Sequence, residues 1–584
     1  MTTLTDEGVG YFKSRWALAD RATIALVGIV AIFVAVNARW VWLYRHGQPL
    51  DIDEAGYLTI AMSDYYGYVN GGVLGWLSAI NGPSSQAPFL PSLASILFIL
   101  FGPNISLGFA ASILCDAALI VVAYSLGREV GSKWIGLIAS SLVATTPAVV
   151  MFSRAFEFVP AATLTCTLAL LCLLKSDRMR DARWAFAFAV AVAMMPLSRT
   201  MTLGFLPGVF LGATLYVAAD RRDRVRRLTT LLFAFVIAIA IAAIWFVPNG
   251  KYVFPYLLHF GYGARAVEYG PGHVSIFALS GWQLTLREIA FQYMRLPHAL
   301  IVLCGLASAI AFSIIDGGSP KSLMLRALKS PVLPLIVFVA GGIAALSSTS
   351  NRGSGFPVPL FPSIVILASI GLYRLSILLP RFSVATAVGL VCCFAAFPFL
   401  DLGCASLDKT DIPFLGPVAL FDGRAPIQIY EHGRGEKSDD GTDVQPFSIS
   451  DGNAWLRLSE LVASKYKDPQ GIVFGMRHIL FNTNTVSLAE MQSGSLRPIY
   501  QLDPASVEDN VDAYLAWLNA AQIAGVCTLF TATKNTGGFR PSINISVMQD
   551  AASMAGFLQQ ESFEMPNKGD LIVWRRNSSS CDHE

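Results

Sequence analysis

The sequence predicts a polytopic α-helical membrane protein, with about eleven transmembrane helices, that ends in a soluble α/β domain. Of its 584 residues, 54% are hydrophobic and only 14% are charged, whereas soluble domains average about 45–50% and about 25%. The mean hydropathy is +0.54. The apolar runs are roughly 17–22 residues long, the length that crosses a hydrocarbon core about 30 Å thick. They stop near residue 403, which predicts a transmembrane domain over 1–403 and a second domain over 404–584.

Hydropathy and charge together predict the individual spans and their direction. Most Lys and Arg residues lie in short loops, which the positive-inside rule places in the cytoplasm. By contrast, the first large loop, 44–104, contains Arg45 as its only Lys or Arg. We therefore expect a cytoplasmic N-terminus, with the loops 44–104 and 249–297 and the C-terminal domain outside. The predicted spans are 22–43, 105–127, 134–151, 158–174, 184–198, 201–219, 228–248, 298–315, 331–349, 357–373 and 382–400.

Two segments allow another interpretation. Prolines and a glycine bound the run Phe89–Phe101, and its length of about 13 residues favours an interfacial or re-entrant helix over a span. A small-residue sequence near residue 38 resembles a signal-peptide cleavage site. However, the apolar run continues through Trp40 to Tyr44, and this aromatic edge favours an anchored helix.

Several classes of function find no support in the sequence. The formal charge of +2, from 42 Lys and Arg against 40 Asp and Glu, is too small for a nucleic-acid footprint. There is no Walker A motif and no dinucleotide fingerprint. Only Cys404, Cys527 and Cys581 lie in the C-terminal domain, so not all of them can pair, and no Cys or His spacing indicates a metal site. We predict no required cofactor and no metal requirement.

Three carboxylates follow the first span, at Asp51, Asp53 and Glu54. One interpretation is an N-terminal cap for a helix that starts near Ala55, because Asp and Glu favour the first turn of helices. The other is catalytic: an aspartate held beside apolar walls has a raised pKa and can act as a base toward a hydroxyl.

The order of motifs resembles the GT-C superfamily of integral-membrane glycosyltransferases, in particular the protein O-mannosyltransferase and aminoarabinose transferase branch. These enzymes use sugars linked to polyprenyl phosphate. The resemblance covers about 400 residues. It rests on Asp53-Glu54-Ala55-x-Tyr57, Gln86-Ala87-Pro88-Phe89-Leu90-Pro91, Leu126-Gly127-Arg128-Glu129-Val130, Thr146-Pro147, Ser153-Arg154, and Asn351-Arg352 followed by Pro357, Pro359 and Pro362.

The resemblance implies that Asp53 is the catalytic base and that Glu54 supports it or orients the acceptor. Asp51 and Tyr57 become candidate substrate-binding residues. Gln86 is another, although some members of the family carry a basic residue or a histidine at this position. Some related enzymes also place a divalent cation between carboxylate and phosphate.

The leaving group of such a donor is a phosphate, whose developing charge an arginine can meet with two parallel hydrogen bonds. The candidates at the predicted outer ends of spans are Arg199, Arg352 and, ranked lower, Arg154. The alternative for each is an arginine that snorkels to the headgroups.

Further candidates lie in the second large loop, 249–297, which is rich in aromatic residues suited to stacking on sugar rings. Its candidate substrate-binding residues are Tyr262, Arg265 and Tyr269, and amphipathic packing at the interface is the alternative. Asp116 lies near the middle of the second span. Such a residue indicates a functional site by default, although a protonated aspartate bonded to a neighbouring helix is the alternative.

The C-terminal domain changes in composition and period. Segments 455–465 and 511–524 predict amphipathic helices, and 471–474, 525–530 and 571–575 predict short strands, which together indicate a small α/β layer domain. No catalytic triad, phosphate loop or metal motif occurs in it. We expect it to bind the acceptor, cover the site or contact a partner.

The sequence thus predicts an inverting glycosyltransferase of the bacterial inner membrane. It would move a sugar from a polyprenyl-phosphate donor to a hydroxyl of a periplasmic glycan, lipid or protein, and would contact membrane lipid but no nucleic acid. The alternative function is a transporter or flippase for a lipid-linked sugar. Against it, no internal repeat of the kind common in secondary transporters is found.

Overall fold

The computed structural model describes most of the chain and places helices before residue 379 and a mixed sheet after residue 451. The described residues are 21–45, 50–263, 265–266, 278–317, 328–349, 351, 353–378, 386, 389, 409–412, 416–419, 452–478, 480–494, 497–504, 506–533, 543–566, 569–577 and 581.

The first region is built from helices α1 to α14. In chain order, they are α1 Arg21–Tyr44, α2 Ile52–Ile80, α3 Phe89–Phe101, α4 Ile105–Val130, α5 Lys133–Thr145, α6 Pro147–Ser153, α7 Val159–Lys175, α8 Ala182–Ser198, α9 Leu206–Ala218, α10 Arg224–Gly261, α11 Leu279–Arg287, α12 Arg295–Gly317, α13 Leu333–Ser348 and α14 Phe361–Leu378. Short 3-10 turns at Thr200–Phe205 and Val358–Leu360 precede α9 and α14, and a π-helical turn at Glu288–Tyr293 follows α11.

This region confirms the predicted class of a polytopic helical membrane protein. Among the described residues, 6 helices are long and apolar enough to cross a membrane, or up to 7 if the bent pair α5 and α6 is one span. The predicted spans 158–174, 184–198 and 331–349 correspond to the shorter apolar helices α7, α8 and α13. Residues 382–400 and the domain boundary at 403 fall outside the described helices, so the number eleven and the boundary stay predictions.

Three predicted segments differ from the structure. The span 134–151 is not one straight helix, because Pro147 disfavours a helical Thr146 and the chain bends by 59° there. The helix predicted over 228–248 continues to Gly261 and takes up the start of the loop 249–297. The loop 44–104 consists largely of α2, whose 29 residues are broken by a kink at Gly72, and of α3.

The described buried side chains of this region form two large apolar clusters and a small one of Leu197, Trp245 and Val253. The larger one joins residues of α4 to α10 with residues of α12 to α14, including Leu142, Phe188 and Phe338. The second one lies where α1 to α4 meet and includes Leu58, Phe98 and Phe109. This second cluster packs the first turns of α2 against the rest of the helices.

The C-terminal region is an α/β domain, as predicted. Its elements are α15 Gly452–Lys465, β3 Ile472–Phe474, α16 Thr483–Gln492, β4 Ile499–Gln501, α17 Val511–Leu518, β5 Thr528–Ala532, α18 Ile545–Met554, β6 Phe557–Glu564 and β7 Asp570–Arg576. A separate hairpin of β1 Lys409–Ile412 and β2 Gly416–Ala419 precedes them. The predicted helices and strands correspond to α15, α17, β3, β5 and β7, and the sequence prediction missed α16, α18, β4 and β6.

The sheet of this domain has the strand order β4-β3-β5-β7-β6. Strands β4, β3 and β5 run parallel, and β7 is antiparallel to both β5 and β6. Every residue of β3 and β5 is buried, as expected for central strands covered on both faces. One face packs around Phe474 and Phe530 and the other around Val473 and Leu529.

Candidate active site

A cavity of about 300 Å³ lies where the ends of several helices meet. Its walls come from the first turns of α2, the turns before α3 and α7, the 3-10 turn after α8, the last turns of α10 and α13, and the loop that follows α13. The lining residues are Asp53, Tyr57, Gln86, Glu157, Phe158, Arg199, Thr200, Met201, Leu203, Gly204, Phe205, Tyr256, Leu257, Phe260, Gly261, Tyr262, Ala345, Leu346, Thr349, Asn351, Gly353, Ser354 and Phe356.

The acidic cluster at the start of α2 combines both interpretations that the sequence allows. Asp51 is the N-cap residue, and its Oδ1 accepts a hydrogen bond of 2.8 Å from the backbone N–H of Asp53. Glu54 Oε2 accepts one of 3.1 Å from the N–H of Asp51, which completes a capping box. The Asp53 side chain takes no part in this cap and is exposed to the cavity. One carboxylate of the three therefore remains for chemistry.

Glu54 is completely buried and faces away from the cavity. Its Oε2 accepts a hydrogen bond of 2.6 Å from Nη2 of Arg45, and its Oε1 accepts one of 3.2 Å from the N–H of Phe156. The Arg45 guanidinium also lies over the ring of Phe109. Glu54 thus joins the end of α1, the start of α2 and the turn before α7, so it supports Asp53 from behind.

The surroundings of Asp53 raise the pKa of its carboxyl. Burial by the cavity walls is the largest cause, the Arg199 guanidinium opposes it, and the negative charge of Glu54 adds to it. Burial and the neighbouring carboxylates of Asp53 and Glu54 raise the pKa of Asp51 as well. A raised pKa makes the ionised Asp53 carboxylate a stronger base.

Glu157 is a cavity residue that the sequence analysis missed. It lies in the turn before α7, is 4% exposed, and lines the same cavity as Asp53. Burial raises the pKa of its carboxyl, as do the charges of Asp51, Asp53 and Glu54, whereas Arg199 lowers it. A single glutamate in a short turn gives no pattern in sequence, but an acidic residue directly before an apolar span was a usable signal.

Among the described residues that line this cavity, Arg199 is the basic one. It follows the last turn of α8, and its Nη2 donates a hydrogen bond of 3.2 Å to the carbonyl oxygen of Ser354. Its guanidinium also lies 4.5 Å from the ring centroid of Phe356. These two contacts hold a cation at the cavity wall, where it interacts electrostatically with both Asp53 and Glu157.

The loop after α13 is fixed to the end of α10. Thr349 Oγ1 donates a hydrogen bond of 2.9 Å to the carbonyl oxygen of Gly261, and Asn351 Nδ2 donates one of 3.0 Å to that of Phe260. Gly355 has a φ of 73°, a conformation that favours glycine, and its N–H donates to the Tyr293 hydroxyl. Ser354 and Phe356, the partners of Arg199, therefore lie in a loop that is held by α13, by the end of α10 and by the π-helical turn.

Aromatic and amide side chains form the rest of the wall. The ring of Tyr57 lies 3.8 Å from that of Phe158, measured between centroids. Gln86 and Tyr256 line the same cavity, and Gln86 lowers the pKa of the Tyr256 hydroxyl, which burial raises. The segment of Gln86 is fixed to α10 because the N–H of Ser84 donates to Asn249 Oδ1 over 2.8 Å. Tyr262 also lines the cavity.

Other residues singled out in the sequence lie elsewhere. Arg154 is 1% exposed, donates a hydrogen bond of 2.9 Å from Nε to Asn37 Oδ1, and stacks on Trp40, so it holds α1 and does not line the cavity. Arg265 lies beside the cavity, over the ring of the lining residue Phe260, and pairs with Asp503 of the C-terminal domain over 2.7 Å. Asp116 is buried within α4, away from the cavity lining.

Arg352 and Tyr269 lie outside the described residues. Within the described part of the chain, no group of three or more His, Cys, Asp and Glu side chains is arranged to hold a metal ion. The expectation that no metal is required stays a prediction.

The helical membrane region and the α/β domain packed against it have the GT-C fold, as the similarity to solved structures shows. Residues 85–248 match the family described as dolichyl-phosphate-mannose-protein mannosyltransferase. This match includes Gln86, Glu157 and Arg199 and begins after Asp53. It confirms, together with the fold, the resemblance to the GT-C superfamily of membrane glycosyltransferases.

Solved structures with this fold include ArnT from Cupriavidus metallidurans. The apo form is 13% identical, with a TM-score of 0.56 over 94% of this chain and 98% of that chain. The form bound to undecaprenyl phosphate is also 13% identical, with a TM-score of 0.56 over 95% and 99% of the two chains. The oligosaccharyltransferase AglB from Archaeoglobus fulgidus is 13% identical and has a TM-score of 0.49. The alignment covers 97% of this chain and 75% of that chain. No curated protein sequence matches significantly.

Proposed function

We propose that this protein is an inverting glycosyltransferase that moves a sugar from a polyprenyl-phosphate donor to a hydroxyl acceptor. The observation that carries the proposal is that Asp53 and Arg199 line one cavity. A base and a phosphate-binding cation are the two groups that this transfer needs. The matched family of dolichyl-phosphate-mannose-protein mannosyltransferases and the ArnT fold, seen with undecaprenyl phosphate in one structure, support this class of donor.

The proposed reaction is a single displacement. Asp53 accepts the proton of the acceptor hydroxyl while the hydroxyl oxygen forms a bond to the anomeric carbon. The bond from that carbon to the phosphate oxygen breaks, and the electron pair leaves with the polyprenyl phosphate. The Arg199 guanidinium stabilises the charge that develops on the phosphate oxygens. Because attack and departure occur on opposite faces, the configuration at the anomeric carbon inverts.

The remaining cavity residues divide between the two substrates. Glu157 lies in the same wall as Asp53 and has a raised pKa, so it is the carboxyl of this cavity that takes up a proton first as the pH falls. The aromatic rings of Tyr57, Tyr256 and Tyr262 offer faces on which a sugar ring can stack. Arg154 and Glu54 do not line the cavity and act through the helices that they hold. In this proposal Arg265 links the C-terminal domain to the end of α10.

The outer face of a bacterial inner membrane is the proposed location. All segments that line the cavity fall on the side that the positive-inside rule predicts to be outside. A disulfide joins Cys527 to Cys581 in the C-terminal domain, and disulfides form in oxidising compartments such as the periplasm. Both observations support an outward-facing site, which would receive a lipid-linked donor.

The test is an assay with purified protein, a mixed pool of polyprenyl-phosphate sugars and a crude envelope acceptor. It measures release of free polyprenyl phosphate by wild type, Asp53→Asn and the exposed-surface control Asp550→Asn. We expect wild type and the control to release it equally, and a folded Asp53→Asn to lose about 10²-fold or more. Equal release by Asp53→Asn would remove Asp53 from its role. No release by any variant, with donor crossing liposomes instead, would support the flippase.

A further inference from the structure

Helix α16 of the C-terminal domain contacts the start of α2, directly beside the proposed base. Nδ2 of Asn484 donates a hydrogen bond of 2.8 Å to the carbonyl oxygen of Ile52. Ile52 is the first residue of α2 and the one before Asp53. The C-terminal domain therefore holds the peptide group that leads into the Asp53 backbone, although Asn484 does not line the cavity.

Gly56 makes this contact sterically accessible. A Cβ at position 56 would lie 2.9 Å from Nδ2 of Asn484, and the three nearest atoms that it would meet all belong to Asn484. The carbonyl of Ile52 and residue 56 lie one helical turn apart, so they occupy the same face of α2. Any larger side chain at position 56 would push the Asn484 amide away from Ile52.

Asn484 is itself held firmly at the start of α16. Asn482 caps this helix through a capping box with Thr485, and its Oδ1 accepts a hydrogen bond of 3.0 Å from the N–H of Asn484. Further along α16, Leu488 and Met491 belong to the same apolar cluster as Ala55 and Leu58 of α2. Apolar packing thus brings the two helices together, and the Asn484 amide fixes the register between them.

We propose that Asn484 is a positioning residue for the transfer reaction, which holds the first turn of α2 so that Asp53 points at the acceptor hydroxyl. The C-terminal domain then takes part in catalysis through a hydrogen bond to the backbone, without touching substrate. This inference rests on the proposed function, because it assigns a consequence to the orientation of Asp53.

The test compares kcat and KM for polyprenyl phosphate release by wild type, Asn484→Ala, Asn484→Asp and Gly56→Ala. We expect each variant to lower kcat about tenfold, because small misplacements of catalytic groups cost up to about 10²-fold, while KM for the donor stays within about twofold. Asn484→Asp keeps the size of the side chain but presents only acceptors to the Ile52 carbonyl. Because Asp adds a negative charge beside Asp53 and Ala does not, a loss of kcat shared by these two variants reports the hydrogen bond.

The double variant Gly56→Ala/Asn484→Ala separates this mechanism from two unrelated defects. Both changes remove the same contact, so we expect the kcat of the double variant to equal that of Asn484→Ala. Two independent losses of about tenfold would instead multiply to about 10²-fold. Leu488→Ala serves as the control, since it weakens the packing of the same helix and leaves the amide in place. We expect it to lower the melting temperature and keep kcat within about twofold of wild type.

Three outcomes would overturn the inference while leaving the proposed function intact: an active wild type with unchanged kcat in Asn484→Ala, multiplicative losses in the double variant, or an equal loss of kcat in Leu488→Ala. If wild type itself releases no polyprenyl phosphate, the proposed function fails first, and this result is distinct from the other three.

Discussion

Arg45 and Glu54 form an ion pair of 2.6 Å in which the two side chains are 1% and 0% exposed. The pair joins the residue that follows α1 to the first turn of α2, and Glu54 also accepts a hydrogen bond from the N–H of Phe156. Two segments that frame the cavity are thereby tied to one carboxylate. The proposed base depends on this arrangement although neither charged group reaches the cavity.

Glu54→Ala is expected to destabilise the protein strongly. Removing one partner of a buried pair leaves an uncompensated charge, which costs about 3–5 kcal/mol. Thermal unfolding of the purified protein in detergent measures the change. Glu54→Gln keeps an acceptor for Arg45 and is expected to cost less. A melting temperature of Glu54→Ala equal to that of wild type would show that the pair does not hold these helices together.

Arg199→Gln is expected to weaken donor binding and to move the acid limb of the pH profile to higher pH. The Arg199 charge lowers the pKa of Asp53, so its removal raises that pKa, and the base ionises only at higher pH. The other titratable groups that interact with Asp53 are Asp51, Glu54, Tyr57, Glu157 and Tyr256. Measuring kcat/KM against pH tests the direction, with Arg199→Lys as the variant that retains charge. A shift to lower pH would contradict the assigned contact.

Glu157→Gln is expected to leave the acid limb of the pH profile in place. Burial and the charge of Asp53 raise the pKa of Glu157 well above its ordinary value, so Glu157 takes up a proton before Asp53 as the pH falls. Over the titration of Asp53 the Glu157 carboxyl is then neutral, and a neutral glutamine replaces it without changing the charge. The profile of kcat/KM against pH is measured beside that of Glu157→Asp. A limb that moves to lower pH in Glu157→Gln would show instead that Glu157 is ionised beside Asp53.

Cys527→Ser is expected to destabilise the C-terminal domain. The bond to Cys581 closes a loop with a sequence separation of 54, and constraining the unfolded chain over such a loop stabilises by about 4 kcal/mol. Thermal unfolding with and without reductant measures the effect, and peptide mass mapping checks the pairing. Cys304→Ser, which changes an exposed free cysteine in α12, is the control. Equal melting temperatures in all forms would argue against the bond.

The apolar runs predicted most of the membrane region because hydropathy alone decides where such helices lie. The prediction 105–127 corresponds closely to α4, Ile105–Val130. Hydropathy failed at the end of α10, where polar Asn249 and Lys251 indicated a loop. The helix continues there because Asn249 is buried and accepts a hydrogen bond from Ser84, a partner 165 residues away.

The candidate site was predictable only where residue type and local pattern sufficed. Arg199 was identified because an arginine at the end of a span is expensive in a membrane, whereas Asp53 was selected from three neighbouring carboxylates by the resemblance to the GT-C superfamily. Local sequence ranked Arg199 above Arg154 but did not show that only Arg199 lines the cavity, since both follow an apolar run. The difference comes from Asn37 and Trp40, which approach Arg154 from α1 and bury it. Glu157 joins the cavity through the same long-range packing.

The 38 residues of α10 give it a length of about 57 Å at 1.5 Å per residue, nearly twice the hydrocarbon thickness of about 30 Å. One end begins among arginines, including Arg224 and Arg226, and the other carries Tyr256 into the cavity wall. Because α10 is this long, a change in its tilt moves its two ends relative to each other. A tilt of about 5°, of the kind that adapts a long helix to membrane thickness, displaces one end by about 5 Å relative to the other. We therefore expect the width of the cavity to change with the thickness of the surrounding bilayer.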